Sequence, residues 1–220
     1  MAAIGRGTGG APGRSGDGTS RAAMAVERAL DDRHRSAVDE VERILAAAVR
    51  VMERVAPAAP RLSDIVTEAG SSNKAFYRYF TGKDDLILAV LERGVALVVS
   101  YLEHQMAKEA TPAGRITRWI EGAMVQVTDP HLISMSRATL GQVPAADDTV
   151  AADAILKPLR ALLTEPVAAL GQPDSERAAD SVFHCTLDTM RRYIGSARRP
   201  SDADVAHLVR FCLRGAGAPP

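Results

Sequence analysis

The sequence predicts an all-α protein, and three observations carry that prediction. Apolar residues recur at steps of three and four through most of the chain from Val38 onward, which places them on single helical faces. No β-branched run alternates for long enough to make a strand. Gly- and Pro-containing breaks separate most of the periodic segments, so they read as helix ends. The expected architecture is a small N-terminal three-helix unit containing a helix-turn-helix, followed by a larger C-terminal helical bundle.

Residues 1–20, MAAIGRGTGGAPGRSGDGTS, offer almost nothing to bury and read as a disordered tail. The disordered extension is taken as residues 1–32, although Arg6, Arg14 and Arg21 also suit an arm that brushes phosphates. Val38, Val41, Leu45, Ala48, Val49 and Met52 stripe the first helix, which Pro57 and Pro60 end. A short helix is expected at about 62–69, then the turn Gly70-Ser71-Ser72, then a second short helix at about 73–80. After Thr81-Gly82 a long helix runs from about Lys83 to Lys108, striped by Leu91, Val95, Val98, Leu102 and Met106. Ile116, Ile120, Ala123, Met124 and Val127 mark the next helix, closed by Asp129-Pro130. A short segment from His131 to Leu140 precedes a loop at Gly141–Pro144. The following helix, from about Asp147 to Leu170, contains Pro158 and Pro166, which kink or divide it. Gly171-Gln172-Pro173-Asp174 stops the chain and restarts it. The last two helices cover about 175–194 and 202–214, with stripes through Phe183, Leu187, Met190 and Ile194 and through Val205, Leu208, Val209 and Cys212.

Composition narrows the function classes. The formal net charge is zero, but its distribution is uneven. Arg33–Lys83 carries nine Lys/Arg against six Asp/Glu, whereas Asp84–Pro220 carries fourteen against seventeen. A basic head on an acidic body suits a protein that touches nucleic acid at one end. No apolar run approaches the ~20 residues of a membrane span, and no secretory core opens the chain, so a cytoplasmic protein is expected. Cys185 and Cys212 are expected to be reduced and buried. His104, His131, His184 and His207 have no metal-ligand spacing, and no metal or cofactor is expected. The phosphate-binding, dinucleotide, nucleophile-elbow and metalloprotease motifs are all missing, so no catalytic residues are assigned.

The segment from Arg61 to Phe80 carries the strongest signal. Ile65 and Ala69 turn apolar groups toward a partner helix, and Gly70 supplies a permissive backbone where the chain reverses. Ser71 and Ser72 suit caps for the next helix. In NKAFYRYF, Phe76 and Phe80 lie four apart and point inward, leaving Asn73, Lys74, Tyr77 and Arg78 to face a groove.

The run GSSNKAFYRYFTGKDDLILAV resembles the signature of tetracycline-repressor-like (TetR family) regulators, through Gly70, Ser71, Tyr77, Phe80, Lys83, Asp84, Asp85 and Leu86. The resemblance extends over about Val38–Leu91 and falls to helix count and length beyond it. It implies a ligand-responsive DNA-binding regulator, a repressor released from a palindromic operator by a small apolar molecule. The implied organisation is a DNA-binding domain at 33–83, with its motif at 61–80, and a ligand-binding and dimerisation domain at 84–220. Asn73, Lys74 and Tyr77 would lie at the groove, Tyr77 and Tyr79 near phosphates, and Lys83 would clamp a phosphate at the start of the long helix. Arg78, Ser71 and Ser72 join this DNA-facing set, as does Arg61. The chain departs from the family at Arg61-Leu62-Ser63, where a Thr-type cap more often opens the helix.

The bundle is expected to hold the effector between its helices, lined mainly by residues from Thr111 to Gly171. Trp119, Met124, Met135, Phe183 and Leu187 are the candidate ligand contacts, although Trp119 also suits plain core. The last two helices are expected to pair with those of a second copy. Two other classes stay open on sequence, a helical enzyme using scattered side chains and a helical adaptor that does not bind DNA.

Overall fold

The computed structural model describes residues 20–56, 58–140, 149–196 and 198–218. Among these residues there are ten helices and no strand. The loop expected at Gly141–Pro144 lies outside the described residues, as do Arg6 and Arg14. The chain divides into two compact units after Glu40.

The first unit holds the start of helix α1 (Arg21–Val55), which corrects the expected disorder of residues 21–32. No Gly or Pro interrupts residues 20–55, and the strong helix formers Ala and Arg are the commonest residues of the stretch. Extending an existing helix gains one hydrogen bond per residue without a new nucleus. Ser20 Oγ accepts from the Ala22 amide at 3.3 Å, and Arg35 pairs with Asp32 one turn away. Every residue from Arg21 to Ser36 is exposed, and Val38, expected on the inward stripe, is exposed too.

The second unit runs from Val41. It contains α2 (Leu62–Glu68), α3 (Asn73–Tyr79), α4 (Lys83–Met106), α5 (Pro112–Thr128) and α6 (Pro130–Leu140). There follow α7 (Thr149–Ala161), α8 (Thr164–Ala168), α9 (Ser175–Ile194) and α10 (Asp202–Gly215). The buried face of α1 runs through Ile44, Ala48, Val51 and Met52. These side chains meet Ile65, Phe76, Leu86 and Ile87 in one hydrophobic cluster. A second cluster gathers Leu102, Ile120, Val127, Val167, Phe183 and Leu208 from the bundle helices. Helix α4 serves both: Leu86, Ile87 and Val90 belong to the first cluster, Leu102 and Met106 to the second. The boundary expected at 83/84 falls at the start of α4, and the helix beyond it contributes to both clusters.

Small residues and charges position the bundle. At Gly122 a Cβ would lie 2.5 Å from Leu102 Cδ2, so a side chain there would have to displace Leu102 where α5 meets α4. The helix expected over 147–170 is divided: α7 retains Pro158, and α8 restarts at Thr164 beyond the fully buried Leu163. Arg160 pairs with Asp180 between α7 and α9, and Arg115 with Glu165 at 2.9 Å. The Arg160 guanidinium holds the Asp180 carboxyl below its ordinary range. Arg137 on α6 donates to the carbonyls of Tyr193, Ile194 and Ser196 at the C-terminal end of α9, where a cation suits the helix dipole.

Leu208, Val209 and Cys212 of α10 are all buried within this chain's own core, whereas Phe211 is 62% exposed. Both cysteines are free, Cys212 buried and Cys185 half-buried rather than fully buried as expected. Burial, with Cys185 beside it, pushes the Cys212 thiol up to about 12. Among the described residues no helix is long and apolar enough to cross a membrane. Among them, too, no three His, Cys, Asp or Glu residues gather to hold a metal ion.

Candidate nucleic-acid interface and ligand cavity

The reversal between α2 and α3 is built by backbone geometry. Gly70 has φ +60°, a left-handed conformation that favours glycine. Its amide bonds the Thr67 carbonyl at 3.1 Å, and the Ser71 amide bonds the Val66 carbonyl at 3.0 Å. Together these make a complete Schellman closure of α2. Ser72 then caps α3: its Oγ accepts from the Ala75 amide at 3.1 Å. Ser71 therefore closes the first helix while Ser72 opens the second. At the other end of α2 the family departure has a visible consequence. Arg61 occupies the cap position with no side-chain cap bond, and Ser63 Oγ turns to the Asp64 carboxylate instead.

Helix α3 sorts its side chains as the spacing predicts. Phe76 is fully buried and Phe80 nearly so, their rings 5.4 Å apart. Asn73, Lys74, Tyr77 and Arg78 are all exposed. Tyr79 is half-buried and packs against the first cluster, with the Arg78 guanidinium 4.8 Å above its ring. Its ring is thus partly structural, unlike that of Tyr77, which is 59% exposed. Lys83 opens α4 and is half-buried. Just before it, the Thr81 amide and hydroxyl both donate to Asp85, at 2.8 and 3.1 Å, which fixes the entry to α4. Behind the motif, Arg50 and Arg54 of α1 grip Glu68 of α2 at 2.9 and 3.1 Å. The Arg50 bond first, then that of Arg54, hold the Glu68 carboxyl below its ordinary value. The result is a braced unit with exposed hydrogen-bonding and cationic side chains on α3. Arg61 is exposed at the head of α2. This is the chemistry needed for phosphate and base-edge contact.

A cavity of about 410 Å³ lies in the second unit, within the ~300–1,000 Å³ typical of small-molecule sites. Trp119, Met135, Phe183 and Leu187 line it, four of the five expected contacts. Met124 does not line it: that side chain is 1% exposed and packs in the bundle core. Trp119 is both core and wall, and its indole N–H donates to the Leu159 carbonyl at 3.0 Å. The wall reaches beyond the expected Thr111–Gly171 region. Leu45 and Val49 of α1 line it, as do Val90 to Val98 at several positions of α4. Leu45, Val49, Leu91, Val95 and Val98 belong to the apolar stripes of their helices, and the period of a stripe does not say which flank a gap will expose. Besides Trp119, the polar wall side chains among the described residues are Arg93, Gln126, Ser136 and Arg191.

Residues 44–90 match the family model of the bacterial regulatory proteins of the tetR family. No relative among curated proteins matches the chain. Solved structures share its fold. The transcriptional regulator FadR from Bacillus subtilis, in complex with stearoyl-CoA, aligns with a TM-score of 0.63 at 18% identity, covering 80% of this chain and 97% of that one. The fatty acid degradation regulator FadR from Bacillus halodurans aligns at 0.65 and 17% identity, over 79% and 94% of the two chains. RolR in complex with resorcinol aligns at 0.59 and 15% identity, over 84% and 97%.

Proposed function

We propose that this chain, a member of the tetR family of bacterial regulatory proteins by its residues 44–90, is a cytoplasmic repressor released from its operator by a small molecule. The observation that carries the reading is the shared wall of the cavity. Leu45 and Val49 lie on α1, whose neighbouring residues Ile44 and Ala48 form the core under the recognition helix α3. Helix α6 makes the same connection: Met135 and Ser136 line the cavity, and Ala138 packs in the helix-turn-helix core. A ligand that fills the cavity therefore presses on the supports of α3. If it prefers one arrangement of those supports, it shifts the population toward that arrangement.

Asn73, Lys74, Tyr77 and Arg78 read and grip the major groove, and Arg61, Ser71, Ser72, Tyr79 and Lys83 complete the contact with the backbone. Trp119, Met135, Phe183 and Leu187 contact the effector. The chain works as a regulator without catalysis of its own. A homodimer forms through α9 and α10, where Phe211 stands exposed beside a groove between the two helices, and a second copy would cover that ring. Two recognition helices then meet half-sites about 34–36 Å apart on a palindrome. The solved relatives with stearoyl-CoA and with resorcinol support a small-molecule effector while differing widely in ligand shape.

Selection of bound duplexes from random DNA tests the reading. Enrichment of one inverted repeat, lost with Lys74→Ala plus Arg78→Ala, is the expected result. Failure of both proteins to retain any duplex above background would favour a helical adaptor instead.

A further inference from the structure

Resting on the cavity as the effector site, we infer that its ligand is an amphiphile with an apolar body and one anionic head, and that Arg93 receives the head in exchange for Glu42. The wall chemistry is the starting point. Its body is aliphatic and aromatic, and it displays two cations, Arg93 and Arg191, with no carboxylate among the described lining residues. The indole N–H of Trp119 is already taken by Leu159, so the wall offers an uncharged head little beyond Gln126 and Ser136. An anionic head gains charge-assisted bonds there, which are roughly twice as strong as neutral ones. A cationic head meets repulsion.

The two arginines are not equivalent. Arg191 pairs with Asp188 one turn away on its own helix, at 3.3 Å, so taking it changes nothing between helices. Arg93 on α4 pairs with Glu42 on α1, three residues before Leu45 of the cavity wall. Side chains of this pair are 44% and 49% exposed, and exposed ion pairs are weak. A better-placed carboxylate on the ligand outcompetes Glu42. The exchange removes a cross-link between α4 and the helix that supports α3, and the apolar body fills the space beneath. Ligand binding and loss of the α1–α4 bridge become one event.

Trp119 emission and fluorescence anisotropy of labelled selected operator read the two halves. Decanoate, decanol and decyltrimethylammonium serve as probes, at concentrations below their aggregation. The expected result is decanoate binding at least about tenfold tighter than decanol, with decyltrimethylammonium weaker still. Arg93→Gln should abolish the preference by weakening decanoate alone, and Arg93→Lys should keep most of it. Glu42→Gln, which removes the competitor, should tighten decanoate by about twofold to fivefold. Decanoate should release the operator from the wild type and not from Arg93→Gln. Equal binding of decanoate and decanol, or an Arg93→Gln protein that binds and responds to decanoate unchanged, overturns the inference and leaves the cavity as the effector site. If none of the three probes binds while the neutral dye N-phenyl-1-naphthylamine enters and alters Trp119 emission, the head-group inference alone fails. If nothing enters, the cavity reading falls with it.

Discussion

Phe76 and Tyr77 are neighbours in sequence with opposite surroundings, and replacing each by alanine separates folding from DNA contact. Phe76 has no exposed surface and lies 5.4 Å from the Phe80 ring and 5.2 Å from the Tyr77 ring. Phe76→Ala removes a ring from a closed cluster, which costs about 3–5 kcal/mol. Its aromatic contacts move the expected loss toward the upper end. Whole-domain stabilities are only about 5–15 kcal/mol, and a seven-residue helix such as α3 does not hold alone in water. Operator binding should disappear with the packing. Tyr77 is 59% exposed, so Tyr77→Ala should cost about 1 kcal/mol or less of stability, mostly the edge contact to Phe76. It should nevertheless weaken operator binding by about 0.5–1.5 kcal/mol, the worth of one hydrogen bond. Urea unfolding followed by circular dichroism gives the first quantity, and anisotropy of labelled operator the second. The reasoning fails if Phe76→Ala unfolds within about 0.5 kcal/mol of wild type, or if Tyr77→Ala destabilises as much as Phe76→Ala.

Asn73→Ala should cost about 1–3 kcal/mol on the operator and far less on random DNA, with an unchanged salt dependence. Lys83→Ala should weaken both DNAs alike and flatten the slope of log K against log salt by about one phosphate contact per subunit; a salt titration of both variants on both DNAs decides. Because its two arginines hold the Glu68 carboxyl below 4.5, their bonds stabilise the fold above that pH and fade as pH falls through the lowered value. The stability difference between wild type and Glu68→Gln should therefore be present at neutral pH and shrink below pH 4.5, and a difference that grows with acid refutes the assignment. Gly122→Ala drives a Cβ against the fully buried Leu102, so overpacking of about 1–3 kcal/mol should outweigh the ~1 kcal/mol gained in helix propensity. Urea midpoints check the sign, and a more stable variant would show that Leu102 repacks freely.

The helices and the reversal between α2 and α3 were legible in the sequence because both rest on short-range physics. Proline and glycine end helices locally, and a spacing of four puts Phe76 and Phe80 on one face whatever surrounds them. The left-handed Gly70 was readable for the same reason: a tight reversal there needs a residue without a Cβ. The helical start of α1 is also a local matter, since residues 21–32 hold no Gly or Pro and continue the helix that follows them. Tertiary packing decided the rest. Leu208 and Val209 carry a stripe that fits a core or an interface equally well, and only the placement of α10 shows them buried within their own chain. Met124 and Trp119 belong to the same helix and were equal candidates for ligand contact, yet one packs in the core while the other also lines the cavity. A cavity is the space that α1, α4, α5, α6, α7 and α9 leave unfilled, and no single helix encodes that remainder. Arg93 joined the candidate site on the same ground, since its meaning lies in Glu42 on another helix and in the apolar space between them.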